Sequence, residues 1–157
     1  MRWNSSSNFN IDIRKADFDI NLEINNFKAE GYEIGAIVSF LGIVRDISKS
    51  NQLKFMEIEH YPKMTEKVLE QLFSNALERW QLQGISLIHR VGKLYPTENI
   101  VLLITASAHR AEAFNASEFI MDYLKSKAPF WKKETTATES YWVEECLADK
   151  QTLLRWE

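Results

Sequence analysis

The sequence predicts an α+β fold. Strand-like and helix-like stretches alternate in the order β-α-β-β-α-β-β-α-β, and the β-β steps are hairpin-like, so antiparallel pairing accounts for most of the sheet. A length of 157 residues with 45% hydrophobic and 26% charged residues has the balance of one globular unit. We therefore expect a single domain over residues 1–157, with residues 1–9 flexible.

Residues 10–14 (NIDIR) alternate apolar and polar side chains, the period of a short strand. Ile20, Ile24 and Phe27 recur at helical spacing within 19–30, and Gly31 suits the C-cap. Residues 34–44 (IGAIVSFLGIV) are mostly apolar and β-branched, which predicts a strand buried on both faces. Gly42 inside it marks a bulge or a close backbone approach. Residues 45–52 (RDISKSNQ) read as a polar, mobile loop. Residues 53–60 (LKFMEIEH) form a strand with Leu53, Phe55, Glu57 and Glu59 on one face and Lys54, Met56, Ile58 and His60 on the other.

Pro62 ends that strand, and Thr65 is placed to cap a helix running to about Trp80. Its apolar stripe is Val68, Leu69, Leu72, Phe73, Ala76 and Leu77. Residues 85–91 and 100–107 are strands joined through a turn carrying Pro96. Residues 111–127 form a long helix with Ala113, Phe114, Ser117, Ile120, Met121 and Leu124 toward the core, stopped at Ala128-Pro129. Residues 130–136 are a strand, and the tail from Tyr141 fits either helix or strand.

Nineteen Lys and Arg against 22 Asp and Glu leave a net charge of −3, the wrong balance for a general nucleic-acid binder. No apolar run is long enough to span a bilayer, and MRWNSSSNFN lacks the apolar stretch of a secretory signal. The single Cys146 excludes an intrachain disulfide framework and a cysteine-rich zinc site. His60, His89 and His109 show no ligand spacing, so neither metal nor cofactor is expected. A soluble, cytoplasmic protein follows.

The densest polar cluster is KSKAPFWKKE, with lysines at 125, 127, 132 and 133. Lysines at a helix C-terminus are also favoured by the helix dipole, so a solvated helix end is the plain alternative. If 130–135 is a strand, Phe130, Lys132 and Glu134 share a face while Trp131 and Lys133 take the other. Lys132 then points into a site, and neighbouring ammonium groups depress one another's pKa toward the range useful for proton transfer. Ser107-Ala108-His109-Arg110 opens the long helix, where backbone N–H groups and Arg110 suit an anion; a simple N-cap is the alternative. Arg45 ends the apolar strand and suits a phosphate, against the default of a surface arginine. His89 reads as a packed structural histidine, and the five tryptophans read as core or interface groups.

The segments SFLGIVRD, EHYPKMTEK, IHRVGKLYP, SAHRAEAF and FIMDYLKSKAPFWKKE occur in that order. Together they resemble the large, catalytic subunit of molybdopterin synthase over roughly residues 34–145. The resemblance implies an α/β-hammerhead-like domain with a mostly antiparallel sheet and a small additional β-rich part. It implies conversion of cyclic pyranopterin monophosphate (precursor Z) to molybdopterin. The sulfur comes from the C-terminal Gly-Gly thiocarboxylate of a small ubiquitin-like subunit. The implied assembly is a central homodimer within a heterotetramer.

By position, Lys125 matches the family's essential lysine and Lys132 the second active-site lysine, with Lys133 and Glu134 lining the pocket beside it. His109 and Arg110 match substrate-contacting positions, and Ile43, Val44 and Arg45 match the loop that holds the substrate. Two departures concern loop shape: Thr97-Glu98 stands where a glycine often precedes the acid, and TTATESYW where a glycine-containing turn is common.

Arg110 and Lys125 lie fifteen residues apart on one predicted helix, about 22 Å at 1.5 Å per residue. A small pterin does not bridge that span. The expected site is therefore composite, with Lys125, Lys132 and Arg45 from one chain and His109 and Arg110 from its dimer partner. A non-catalytic anion-binding module and a structural domain docking an acidic partner are the competing readings of the same cations.

Overall fold

The computed structural model describes residues 8–30, 33–127, 129–144 and 147–157. In chain order the elements are β1 (Phe9–Arg14), α1 (Ile20–Glu30), β2 (Ala36–Ile43), β3 (Ile47–Ser48), β4 (Asn51–His60), α2 (Pro62–Arg79) and β5 (Gly84–Arg90). They continue with β6 (Gly92–Leu94), β7 (Asn99–Ser107), α3 (Arg110–Ser126), β8 (Phe130–Thr136), β9 (Ser140–Trp142) and α4 (Leu147–Thr152), and end in a 3-10 turn, Leu153–Trp156. The first sheet runs β1-β5-β7-β2 and the second β3-β4-β8-β9, with β6 paired to β4. Every pairing is antiparallel except β1 with β5, so the architecture is α+β as predicted.

β5 is buried along its whole length and β7 along nearly all of it, because they are the inner strands of the first sheet. One sheet face packs Ile85, Leu87 and Leu103 against Leu69, Phe73, Phe119 and Ile120 of α2 and α3. The other packs Ile88, Leu102 and Ile104 against Phe18 and Phe27, with Ile20 and Ile24 of α1 alongside. Helices therefore cover both faces of the first sheet, and β4 is the long central strand of the second, pairing with β3, β6 and β8.

Several local expectations are corrected. β2 is not buried on both faces: it is an edge strand, and Phe40 and Ile43 are 38% and 48% exposed. Gly42 is both a bulge and a close approach: the register with β7 shifts there, and a Cβ would sit 2.7 Å from Val101 Cγ1. The loop over 45–52 is instead a tight hairpin, with Lys49 and Ser50 at φ 46° and 68°, as a two-residue type I′ turn requires. Strict alternation in β4 fails at a register shift between Leu53 and Phe55, which turns Leu53 to the same buried side as Met56 and Ile58.

Thr65 does not cap α2. Pro62 opens that helix, Tyr61 holds the N-cap position without a side-chain bond, and buried Thr65 lies 3.3 Å from His60 Nδ1. On α3 the expected Ala113, Ser117 and Ile120 are buried and Ala116 and Phe119 join them, whereas Phe114 is 60% exposed. Phe9 is not frayed; it pairs in β1 and meets Phe73 edge-on at 5.7 Å. The rest of the N-terminal stretch through Ser7, Gly31, Ala128 and Cys146 lie outside the described residues.

Candidate active site

A cavity of about 340 Å³ opens between the C-terminal end of α3, the inner face of the second sheet and the folded-back tail. Lys125 comes from the last turn of α3, Lys132 and Glu134 from β8, and Ile43 and Arg45 from the exit of β2. The alternation predicted for β8 holds. Lys132 and Glu134 pair with Ile58 and Met56 of β4 on the inner side, while Trp131 and Lys133 pair with Glu59 and Glu57 on the outer. Lys133 consequently does not line the cavity; its Nζ lies 5.8 Å from the centroid of Trp142 across the outer face. Val44 does not line it either, being packed in the core at 2% exposure.

Backbone hydrogen bonds fix the exit of β2. Val44 N donates to Glu98 O and Thr97 N donates to Val44 O, both at 2.9 Å. Arg45 follows directly from that clamp. The Thr97-Glu98 departure keeps its turn at a conformational cost, because Thr97 adopts φ 75°, a region unfavourable to a β-branched residue. At the second departure the chain turns with ordinary φ. Thr136 Oγ1 accepts from the amides of Thr138 and Glu139 at 3.4 and 3.3 Å, a serine/threonine turn that needs no glycine.

Burial pulls the Lys132 amine down from 10.5 to about 8, and the like charge of Lys125 pulls in the same direction. Glu134 and Asp149 oppose this as counter-charges. Glu134 is held in place, its Oε2 accepting from Tyr141 OH at 3.2 Å and from Ser48 Oγ. His89 is on the cavity wall as well as packed, stacked on Phe130 with ring centroids 3.9 Å apart. Burial lowers its pKa to about 3, and Nδ1–H donates to Arg90 O at 2.8 Å, leaving a neutral ring with Nε2 free to accept.

His109 and Arg110 are not part of this cavity. They sit exposed at the opposite end of α3, His109 in the N-cap position without a side-chain capping bond. Sequence reasoning missed Asp149 and Ser126. Ser126 Oγ donates to Asp149 O at 2.9 Å, tying α4 to the cavity rim, a long-range bond with no local signal. Among the described residues no cluster of three or more His, Cys, Asp or Glu is placed to hold a metal, and no helix is long and apolar enough to cross a membrane.

The family model described as "MoaE protein" matches residues 13–127. The chain belongs to the MoaE protein family. With that family it is an enzyme of molybdopterin synthesis. The molybdopterin synthase catalytic subunit of Ralstonia nicotianae is 52% identical over 146 residues, covering 93% of this chain and 83% of that one. The solved MoaE protein from Burkholderia ambifaria superposes with a TM-score of 0.80 at 44% identity, covering 94% of this chain and 97% of its own. The fold is also shared, at 19% identity and a TM-score of 0.72, with a chain of the complex of subunits 1 and 2 of molybdopterin-converting factor from Helicobacter pylori; this likeness covers 86% of this chain and 90% of that one.

Proposed function

We propose that this chain, acting as one domain in the cytoplasm, transfers sulfur to cyclic pyranopterin monophosphate to make molybdopterin. The sulfur is drawn from the thiocarboxylated Gly-Gly terminus of a small ubiquitin-like subunit. The single observation that carries the reading is the convergence of Lys125, Lys132 and Arg45 on one cavity, with the Lys132 amine brought to about 8. A cavity of about 340 Å³ suits one small ligand together with the end of a peptide tail.

Arg45 neutralises the substrate phosphate through its planar donor fork. As each carbon–sulfur bond forms on the pterin side chain, the oxygen that leaves needs a proton. Lys125, facing the cavity from the last turn of α3, is assigned the role of supplying it. Water then cleaves the acyl–sulfur bond, leaving sulfur on the pterin and a carboxylate on the partner's tail; Lys132 holds that carboxylate, and Glu134 is the counter-charge beside Lys132. His109 and Arg110 reach the substrate from the second copy of a homodimer, each copy carrying one small subunit in a heterotetramer.

Reconstitution with thiocarboxylated small subunit and precursor Z tests the reading, molybdopterin being the product assayed. Lys125→Ala should abolish turnover while small-subunit binding persists. Co-expressing Lys125→Ala and Arg110→Ala chains tests the composite site. Half of the randomly assembled dimers are mixed and hold one intact site each, so about one quarter of wild-type activity returns. If all groups came from one chain, none would return.

A further inference from the structure

A small chamber of about 80 Å³ adjoins the active-site cavity. Ile43, His89, Lys125 and Lys132 line both spaces, so the two are continuous. His89, Lys125 and Lys132 are the polar side chains of the chamber, and the others that line it are apolar. A pterin needs a far larger space. Water occupies roughly 30 Å³ per molecule, so the chamber has room for about two. His89 is 5% exposed and is held on two sides. Its ring stacks on Phe130 at 3.9 Å, and Nδ1–H donates to Arg90 O at 2.8 Å. Arg90 is itself anchored, donating to Lys15 O and Asn99 O at 3.0 Å each. Among the described residues no donor is bonded to the other ring nitrogen, Nε2.

We infer that this chamber is a water site, and that His89 Nε2 holds in it the water that cleaves the acyl–sulfur bond. The inference rests on the proposed function above and adds a catalytic residue to it. The hydrogen-bond inventory selects the occupant. Lysine ammonium groups only donate, whereas a neutral imidazole with Nδ1 protonated can only accept at Nε2. The occupant must therefore accept from the amines and donate to the ring. An anion satisfies the lysines and offers no hydrogen to Nε2. A pterin N–H suits Nε2, but the ring does not fit the space. Water does both, and it finds there the two to four polar partners that a buried water needs.

The ring stays neutral beside two cations because burial and both lysine charges oppose a third. It therefore orients the water without keeping its proton. The step balances on the groups present. The water oxygen bonds to the acyl carbon as one proton passes to the unprotonated amine of Lys132. The carbon–sulfur bond then breaks with its electron pair going to sulfur, which takes the second proton. The products are a thiol on the pterin, a carboxylate on the small subunit's terminus and the Lys132 ammonium that holds this carboxylate. A dry chamber would leave the acyl–sulfur adduct intact after sulfur has reached the pterin.

The test is a single turnover of the full chain carrying His89→Asn with thiocarboxylated small subunit and precursor Z, followed by intact mass. Asparagine keeps an N–H donor for Arg90 O and has no atom at the Nε2 position. The adduct of small subunit and pterin should form at the wild-type rate and break down about 10²-fold more slowly. Hydroxylamine, a nucleophile that needs no seat in the chamber, should release the accumulated small subunit as its hydroxamate. His89→Gln, with an oxygen acceptor near the Nε2 position, should recover part of the rate. Breakdown at the wild-type rate, or formation and breakdown slowed alike as a structural role demands, overturns the inference. A crystal structure of the wild-type chain reads the site even where His89→Asn does not fold. A water within about 3.2 Å of Nε2 is expected, and a dry Nε2 overturns the inference. A wild type that makes no molybdopterin sinks the functional reading, whereas an active wild type matched by His89→Asn sinks the water site alone.

Discussion

Replacing Lys132 by methionine keeps the length of the side chain and removes its charge. Bringing the amine from 10.5 to about 8 corresponds to about 3 kcal/mol of disfavour for the charged form. Lys132 is partly open to the cavity, so solvent screening reduces the usable figure to about 1–2 kcal/mol. Glu134 is not orphaned by the change, because Ser48 and Tyr141 still donate to it. Lys132→Met should therefore be more stable than the wild type by about 1–2 kcal/mol near pH 7, while losing activity.

The pH dependence follows from the sign of the shift. Between about 8 and 10.5 the unfolded chain holds the Lys132 proton more tightly than the folded one, so wild-type stability rises with pH across that window. The variant has no such group, and its advantage should vanish by about pH 10.5. Urea unfolding of both proteins near the two ends of that window, with m-values compared, measures the difference. A gap of equal size at both pH values, or a variant less stable near pH 7, would mean that the amine is well solvated, and the reasoning fails.

Glu134→Gln removes a counter-charge from Lys132, so its amine should titrate below about 8, and the basic limb of the pH–rate profile should move down with it. Thr97→Gly relieves a β-branched residue at φ 75° and should stabilise the chain by about 1 kcal/mol in urea, Arg45 and activity being retained. Gly42→Ala places a Cβ 2.7 Å from Val101 Cγ1 and should cost about 1–3 kcal/mol. His89, lowered to about 3, should show no movement of its ring proton resonances between about pH 5 and 8. It adds an acid sensitivity, since stability present above its ordinary 6.5 is lost as pH falls toward 3.

The elements with a clear period were legible in the sequence. The stripe of α2 and the two faces of β8 follow directly from spacings of 3.6 and 2, and the β8 alternation alone separates Lys132 from Lys133. The family resemblance implied a pocket position for Lys133 that the pleat forbids. β2 was misread because an apolar β-branched run looks the same whether its cover is the chain's own core or another surface. The β3–β4 hairpin was missed because Lys49-Ser50 adopts left-handed angles without the Asn-Gly pattern that announces them. Phe114 was misassigned because helical spacing identifies a face without saying what covers it. Asp149 and Ser126 depend on a contact between α3 and α4, and nothing local in the tail marks it.

The crowding of two ammonium groups beside a buried strand has a thermodynamic corollary for the empty enzyme. Any phosphate or carboxylate that docks there compensates Lys125 and restores the affinity of Lys132 for hydrogen ions, so complex formation takes up a fraction of a proton from the buffer. Calorimetric titration in buffers of contrasting ionisation heat would register that uptake, and affinity for the anion would weaken with rising alkalinity.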